Sequence, residues 1–201
     1  MLLTRDHAAK VLEIVDHGLS NGLGVAEPGK LCVEAAVCLA LGLPHGDNPP
    51  CVGPAVRSYK ISLNDSCGLP PLERAALLRR LAVAQLGSDT IDQTKFSRLL
   101  AEKATRRIVP IALRAAASVH PEAKHRDALE AAAIRCESEG TADAAAADAA
   151  AADAAAARWA ADAAAADRKR IFEIAAQIGV EALQECGSPG CEWLDLCEVA
   201  T

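Results

Sequence analysis

Cysteine and histidine are the residues of this sequence whose chemistry could be covalent. Eight cysteines stand at positions 32, 38, 51, 67, 136, 186, 191 and 197. Cys32 and Cys38 fall near the start and middle of an apolar run that follows Pro28-Gly29. The dipole at a helix N-terminus favours a thiolate, and His17 or His45 could serve such a cysteine as base. No flanking signature of a known cysteine hydrolase accompanies them, and a small buried hydrophobe is the simpler role for each. Cys186, Cys191 and Cys197 have four and five residues between them. Zinc sites use closer pairs, often completed by histidine, and no histidine is local, so a packed cluster is the simpler reading. No metal and no cofactor is expected.

The histidines offer little more. His120 and His125 are five apart, poor for one helical face, and placement of both on the surface is the simplest expectation. His45-Gly46-Asp47 lies in a Pro-rich loop, but no phosphate-cradling glycine motif follows. Gly18, Gly22 and Gly24 fail the dinucleotide pattern because no strand precedes them. With no convincing catalytic set, enzymatic function is the weaker expectation.

Composition dictates the elements that must carry these residues. Alanine is abundant and aromatics are scarce: Tyr59, Phe96, Trp159, Phe172 and Trp193 are all of them. Alanine is the best helix former, and a core of Leu, Ile, Val and Ala packs helices closely. The pattern predicts an all-α, multi-helix bundle with a long alanine-rich repeat helix or helix pair. Two regions are expected. Residues 1–88 form a helical region with a Gly/Pro-rich loop over 42–53. Residues 89–201 form a second helical region containing the repeat.

Thr4 reads as the cap of a first helix through Val11, Leu12, Ile14 and Val15. Leu31–Leu41 reads as a helix buried on most sides. Val56–Leu63 fits a short helix or an extended strand. Pro70-Pro71 opens a helix that Gly87-Ser88 ends. Asp92 to about His120 reads as one long helical stretch that Pro110 must bend or interrupt, and Pro121 starts a helix that Gly140 ends. Ile171, Ile174, Ala175, Ile178 and Ala182 form a later stripe, after which Trp193, Leu194 and Leu196 dock a short closing segment on the core.

The clearest feature is an Ala/Asp pentad repeat over residues 142–167. Asp143, Asp148 and Asp153 recur every fifth residue, Arg158 takes the next place, and after a one-residue slip Asp162 and Asp167 follow. Five residues advance an α-helix by about 140° beyond one turn, so the carboxylates fan out on every side. One straight helix over this tract would span roughly 39 Å. It would be neither a heptad coiled coil nor an ordinary amphipathic helix. Either it is solvated all round, or its alanine faces let neighbouring helices approach while aspartates sit at the edges. A pentapeptide β-solenoid shares the period but needs bulkier inward residues. Asp residues radiating round one helix cannot gather the six to eight oxygens that calcium requires. They keep a sticky tract soluble, and Trp159, lying between the Asp directions, is the candidate anchor that holds the tract to the rest of the protein.

The stretch Ile108-Val109-Pro110-Ile111-Ala112-Leu113, then His120-Pro121, Ala128-Leu129-Glu130-Ala131-Ala132 and the alanine repeat resembles a group of bacterial alanine-rich proteins labelled immunity proteins of polymorphic-toxin systems. Members usually carry Tyr, His or Ser between the alanines where this chain has Asp. The resemblance covers about half of the chain and implies a toxin-neutralising, partner-binding role.

The net charge of −6 argues against nucleic acid, whose phosphates call for Lys and Arg in excess. No signal-peptide core or membrane-spanning run is visible, so the expected location is the cytoplasm and no membrane is expected as partner. The leading expectation is therefore a protein–protein interaction module, immunity- or antitoxin-like, with Asp143, Asp148, Asp153, Trp159, Asp162 and Asp167 as binding residues. The alternatives are a cysteine-dependent enzyme using the N-terminal half and a structural protein that self-associates through its alanine faces.

Overall fold

The computed structural model describes residues 2–140 and 167–198. Among the described residues the fold is all-α, a multi-helix bundle. Its α-helices are α1 (Arg5–Asp16), α2 (Val33–Ala40), α3 (Pro54–Ser66), α4 (Pro71–Ala84), α5 (Gln93–Arg107), α6 (Val109–Val119), α7 (Ala123–Glu139) and α8 (Arg168–Cys186). Two 3₁₀ helices, η1 (Ser88–Thr90) and η2 (Pro189–Cys197), complete the elements. No described helix is long and apolar enough to cross a membrane. The expected repeat helix, 142–166, lies outside the described residues.

The chain divides into two compact units, one of residues 1–97 with 179–201 and one of residues 98–178. In the first, α1 buries Ala8, Val11, Leu12 and Val15, which recur at the spacing that lines one helical face. That face packs on α2 and α4. Helix α2 buries nearly every residue, as its continuous apolar run predicts. Helix α4 buries Leu78, Leu81 and Ala82, and its last turns run on into a fully buried stretch through Ser88. Complete burial of each such Leu or Val stabilises the fold by roughly 1.5–3 kcal/mol.

The ambiguous segment 56–63 is helical. Pro54 occupies the first turn of α3, where its missing N–H costs nothing, and Gly53 is the N-cap. The long stretch expected to bend or break at Pro110 is interrupted there. α5 stops at Arg107 and α6 starts at Val109, with Pro110 in its first turn. The proline ring excludes the carbonyl of residue 106 from continuing the ladder, so the helix restarts instead of bending.

In the second unit α6 and α7 pack as an antiparallel pair over Ala116, Ala117 and Leu129, with Leu113 beside them. Arg106 donates to the carbonyls of Glu137, Ser138 and Glu139 at 2.8, 2.6 and 2.9 Å, satisfying the free C-terminal end of α7. Arg114 Nε reaches Glu130 at 3.0 Å, and its two terminal nitrogens hold Glu137 as a fork.

The Arg114 hydrogen bond holds the Glu137 carboxyl below its ordinary value of 4.5. A depressed carboxyl contributes stability that is complete above the unfolded value and lost as the pH falls through the lower folded value. Protection factors of the α6–α7 pair, observed exchange divided into the intrinsic rate at each pH, are therefore expected to fall between about pH 5 and about pH 3. Arg114→Gln should show less of that fall. An equal acid response in the variant would show that Arg114 does not set it.

Candidate functional site

All eight cysteines are free thiols; five are buried and Cys186, Cys191 and Cys197 are half-buried. Cys32 is the N-cap of α2, and its Sγ accepts from the Ala35 N–H at 3.4 Å. Burial nevertheless pushes its thiol up, outweighing the backbone N–H groups that favour the thiolate. Burial likewise raises Cys51, and it pushes Cys38 up to about 11. Neither candidate base serves them. His45 Nε2 donates to the Gly24 carbonyl at 3.2 Å, and His17 caps the C-terminus of α1 without bonding a thiol. Among the described residues, no group of three or more His, Cys, Asp and Glu side chains is placed to hold a metal ion.

Thiols so placed react slowly, because the thiolate is the nucleophile. Cys32, Cys38 and Cys51 are expected to alkylate at least about tenfold more slowly in the folded protein than in the unfolded chain. Peptide-resolved mass spectrometry after a short iodoacetamide pulse measures this. Rapid labelling of any of the three in the folded state would restore the reading of an activated cysteine.

Between these cysteines lies a pair that sequence reasoning passed over. Lys60 on α3 and Glu34 on α2 are both fully buried, with Nζ 3.2 Å from Oε1. The contact lies outside hydrogen-bond geometry, and among the described residues no other group bonds Glu34 Oε1, Glu34 Oε2 or Lys60 Nζ. Burial lifts the Glu34 carboxyl and lowers the Lys60 ammonium, each against the attraction of the other. Arg57 and Asp47 contribute weaker fields at Glu34, and they form a looser pair of their own at 3.7 Å. The sequence signal was a lone carboxylate inside the apolar run of α2.

The expectation that both His120 and His125 lie on the surface needs correction. His120 is buried, its ring centroid 4.9 Å from that of His125, and its Nδ1 accepts from the Glu122 N–H at 3.2 Å. His120 ends α6 and does not belong to α7, so helical spacing does not govern where its ring points.

The first unit also carries an open groove of about 400 Å³. That volume falls in the range of ligand sites, roughly 300–1,000 Å³. One wall is the turn at Pro50 and Cys51. A second is the rim of η1 with Gly87, Asp89 and Thr90. A third is the start of η2 with Pro189, Glu192 and Trp193, and Leu2 and Leu3 close the end.

Backbone contacts fix these walls. The N–H groups of Gly87 and Asp89 both donate to the Cys51 carbonyl, at 3.0 and 3.4 Å. The Gly190 N–H donates to the Leu86 carbonyl at 2.7 Å, and Ser188 Oγ donates to the Ala84 carbonyl at 2.6 Å. Arg5 holds Asp195 through both guanidinium nitrogens and ties η2 to α1. Trp193 is half-buried, while Leu194 beside it docks in the core as expected. Asp89 and Glu192 are exposed, and among the described residues neither forms an ion pair.

Of the binding residues expected from the repeat, Asp143, Asp148, Asp153, Trp159 and Asp162 lie outside the described residues. Asp167 is half-buried and its carbonyl accepts the Ile171 N–H at 2.9 Å, the first turn of α8. The groove residues come instead from the two ends of the chain and from the turns after residues 49 and 86. No family model, no curated protein and no solved structure matches this chain.

Proposed function

We propose that this chain is a protein-binding module, immunity- or antitoxin-like in role, that works in the cytoplasm by docking a basic protein partner. The observation that carries the reading is the groove. It is an open concavity with apolar walls, a half-buried indole and two carboxylates that are unpaired among the described residues, and its one cysteine is a buried thiol that burial raises. Such a surface suits recognition better than nucleophilic chemistry. The net charge of −6 supports it, because a net acidic surface steers basic partners and speeds their encounter. The resemblance of residues 108–113 and 128–132 to immunity proteins supplies the toxin-neutralising form of the reading.

The test is capture of the protein encoded beside this one, using the full chain as bait. Retention at low salt that weakens as salt is raised is the expected result. No retention at low salt would overturn the reading.

A further inference from the structure

We infer that the groove between η1 and η2 is a seat for an arginine side chain, presented by an exposed segment of the partner. The inference rests on the protein-binding reading and names the chemistry of the contact. Asp89 on η1 and Glu192 on η2 line the same groove. Both carboxylates are exposed and unpaired among the described residues, so a cation entering the groove displaces no existing partner. Arg5, the basic residue in the first turn of α1, is committed to Asp195.

Trp193 supplies the third element. Its half-buried ring lines the same groove, and an indole face attracts a cation more strongly than any other side-chain ring. A guanidinium suits this set better than an ammonium. It is planar, so it can lie on the indole while its edge N–H groups reach carboxylates on either side, and it gives up its hydration more readily. The apolar walls, Leu2, Leu3 and Pro189, fit the methylene stem that an arginine carries behind its charged head. A volume of about 400 Å³ admits one such side chain with part of the backbone that bears it.

The experiment is a titration of the full-length, isotopically labelled protein with acetyl-Gly-Arg-Gly-amide, followed by backbone and indole N–H chemical shifts. The control ligand is the same peptide with citrulline, which keeps the shape of arginine and removes its charge. Saturable shifts at Trp193, Asp89 and Glu192 with the arginine peptide are expected, and binding of the citrulline peptide should be at least about tenfold weaker. The exposed double variant Asp89→Asn/Glu192→Gln should keep the fold and lose about tenfold in affinity for the arginine peptide.

Equal binding of the two peptides, shifts confined to other regions, or unchanged affinity in the variant would each overturn the inference. The same variant separates it from the broader reading. If the captured partner binds the variant as tightly as the unmodified chain, the arginine seat fails while the binding module stands. Saturable arginine binding in a chain that captures no partner supports the seat and counts against the module.

Discussion

Replacing Lys60 with methionine lowers the unfolding free energy by about 3–5 kcal/mol, because it leaves a buried carboxylate without its counter-charge. Glu34 and Lys60 are both fully buried, and among the described residues neither has another hydrogen-bond partner to take up the loss. Methionine keeps the length of the lysine stem, so the cavity term is small and the effect reports the stranded charge. The double replacement Glu34→Leu/Lys60→Met removes both charges and is expected to return to within about 1 kcal/mol of the unmodified protein, or above it, since burying an ion pair costs more solvation than the attraction recovers.

The pH response gives a second handle on the same pair. Burial already lifts the Glu34 carboxyl above 4.5 in the folded protein. A carboxyl that binds its proton more tightly when folded loses stability as the pH rises through the window above its unfolded value. Without the Lys60 ammonium that window extends further up. The deficit of Lys60→Met is therefore smallest near about pH 5 and largest near neutrality. Urea unfolding of the two variants at both values measures it. A deficit below about 1 kcal/mol at neutral pH, or one that shrinks as the pH rises, would show that Glu34 is not held in a dry site.

How much of this could be read from the sequence depends on whether the physics is local. The face of α1, the full burial of α2 and the proline start of α4 rest on periodicity and on φ restriction within one segment, and all are visible in order along the chain. The strand alternative for residues 56–63 arose because Ser58 and Lys60 interrupt the apolar pattern. Lys60 points into the core all the same, because Glu34 waits there on another helix. A charge explained by a partner twenty-six positions away has no local signature beyond its oddity. His120 shows the same limit, since the five-residue rule applies only within one helix and its ring lies at a helix end. The groove is the extreme case. It joins residues 2–3, 50–51, 87–90 and 189–193, and only the folding of η2 back onto the end of α4 brings them together.

That return is a tight backbone-to-backbone contact, and it carries the second large effect. Gly190 lies so close to the end of α4 that a Cβ there would stand 2.2 Å from the Val83 carbonyl oxygen and 2.9 Å from both the Leu86 nitrogen and the Leu86 oxygen. All three are backbone atoms, so no side chain can swing aside to make room. Gly87 is constrained on the facing side. Its φ of +81° lies in the left-handed region, and a Cβ there would meet Pro189 Cγ at 2.9 Å. Gly190→Ala must therefore lift η2 off α4, breaking the 2.7 Å bond from the Gly190 N–H to Leu86 and straining the 2.6 Å bond from Ser188 Oγ to Ala84.

The overpacking costs about 3 kcal/mol, and each backbone acceptor left buried without its donor adds about 1 kcal/mol. The damage is expected to be local before it is global. Hydrogen exchange at Leu86, Gly190 and Cys191 should quicken far more than exchange in α6 and α7, and the groove should lose its arginine seat because Trp193 and Glu192 move together with η2. Retention of native exchange rates at Gly190 in the alanine variant would show that η2 does not press on the end of α4 there and that this contact does not hold the groove wall.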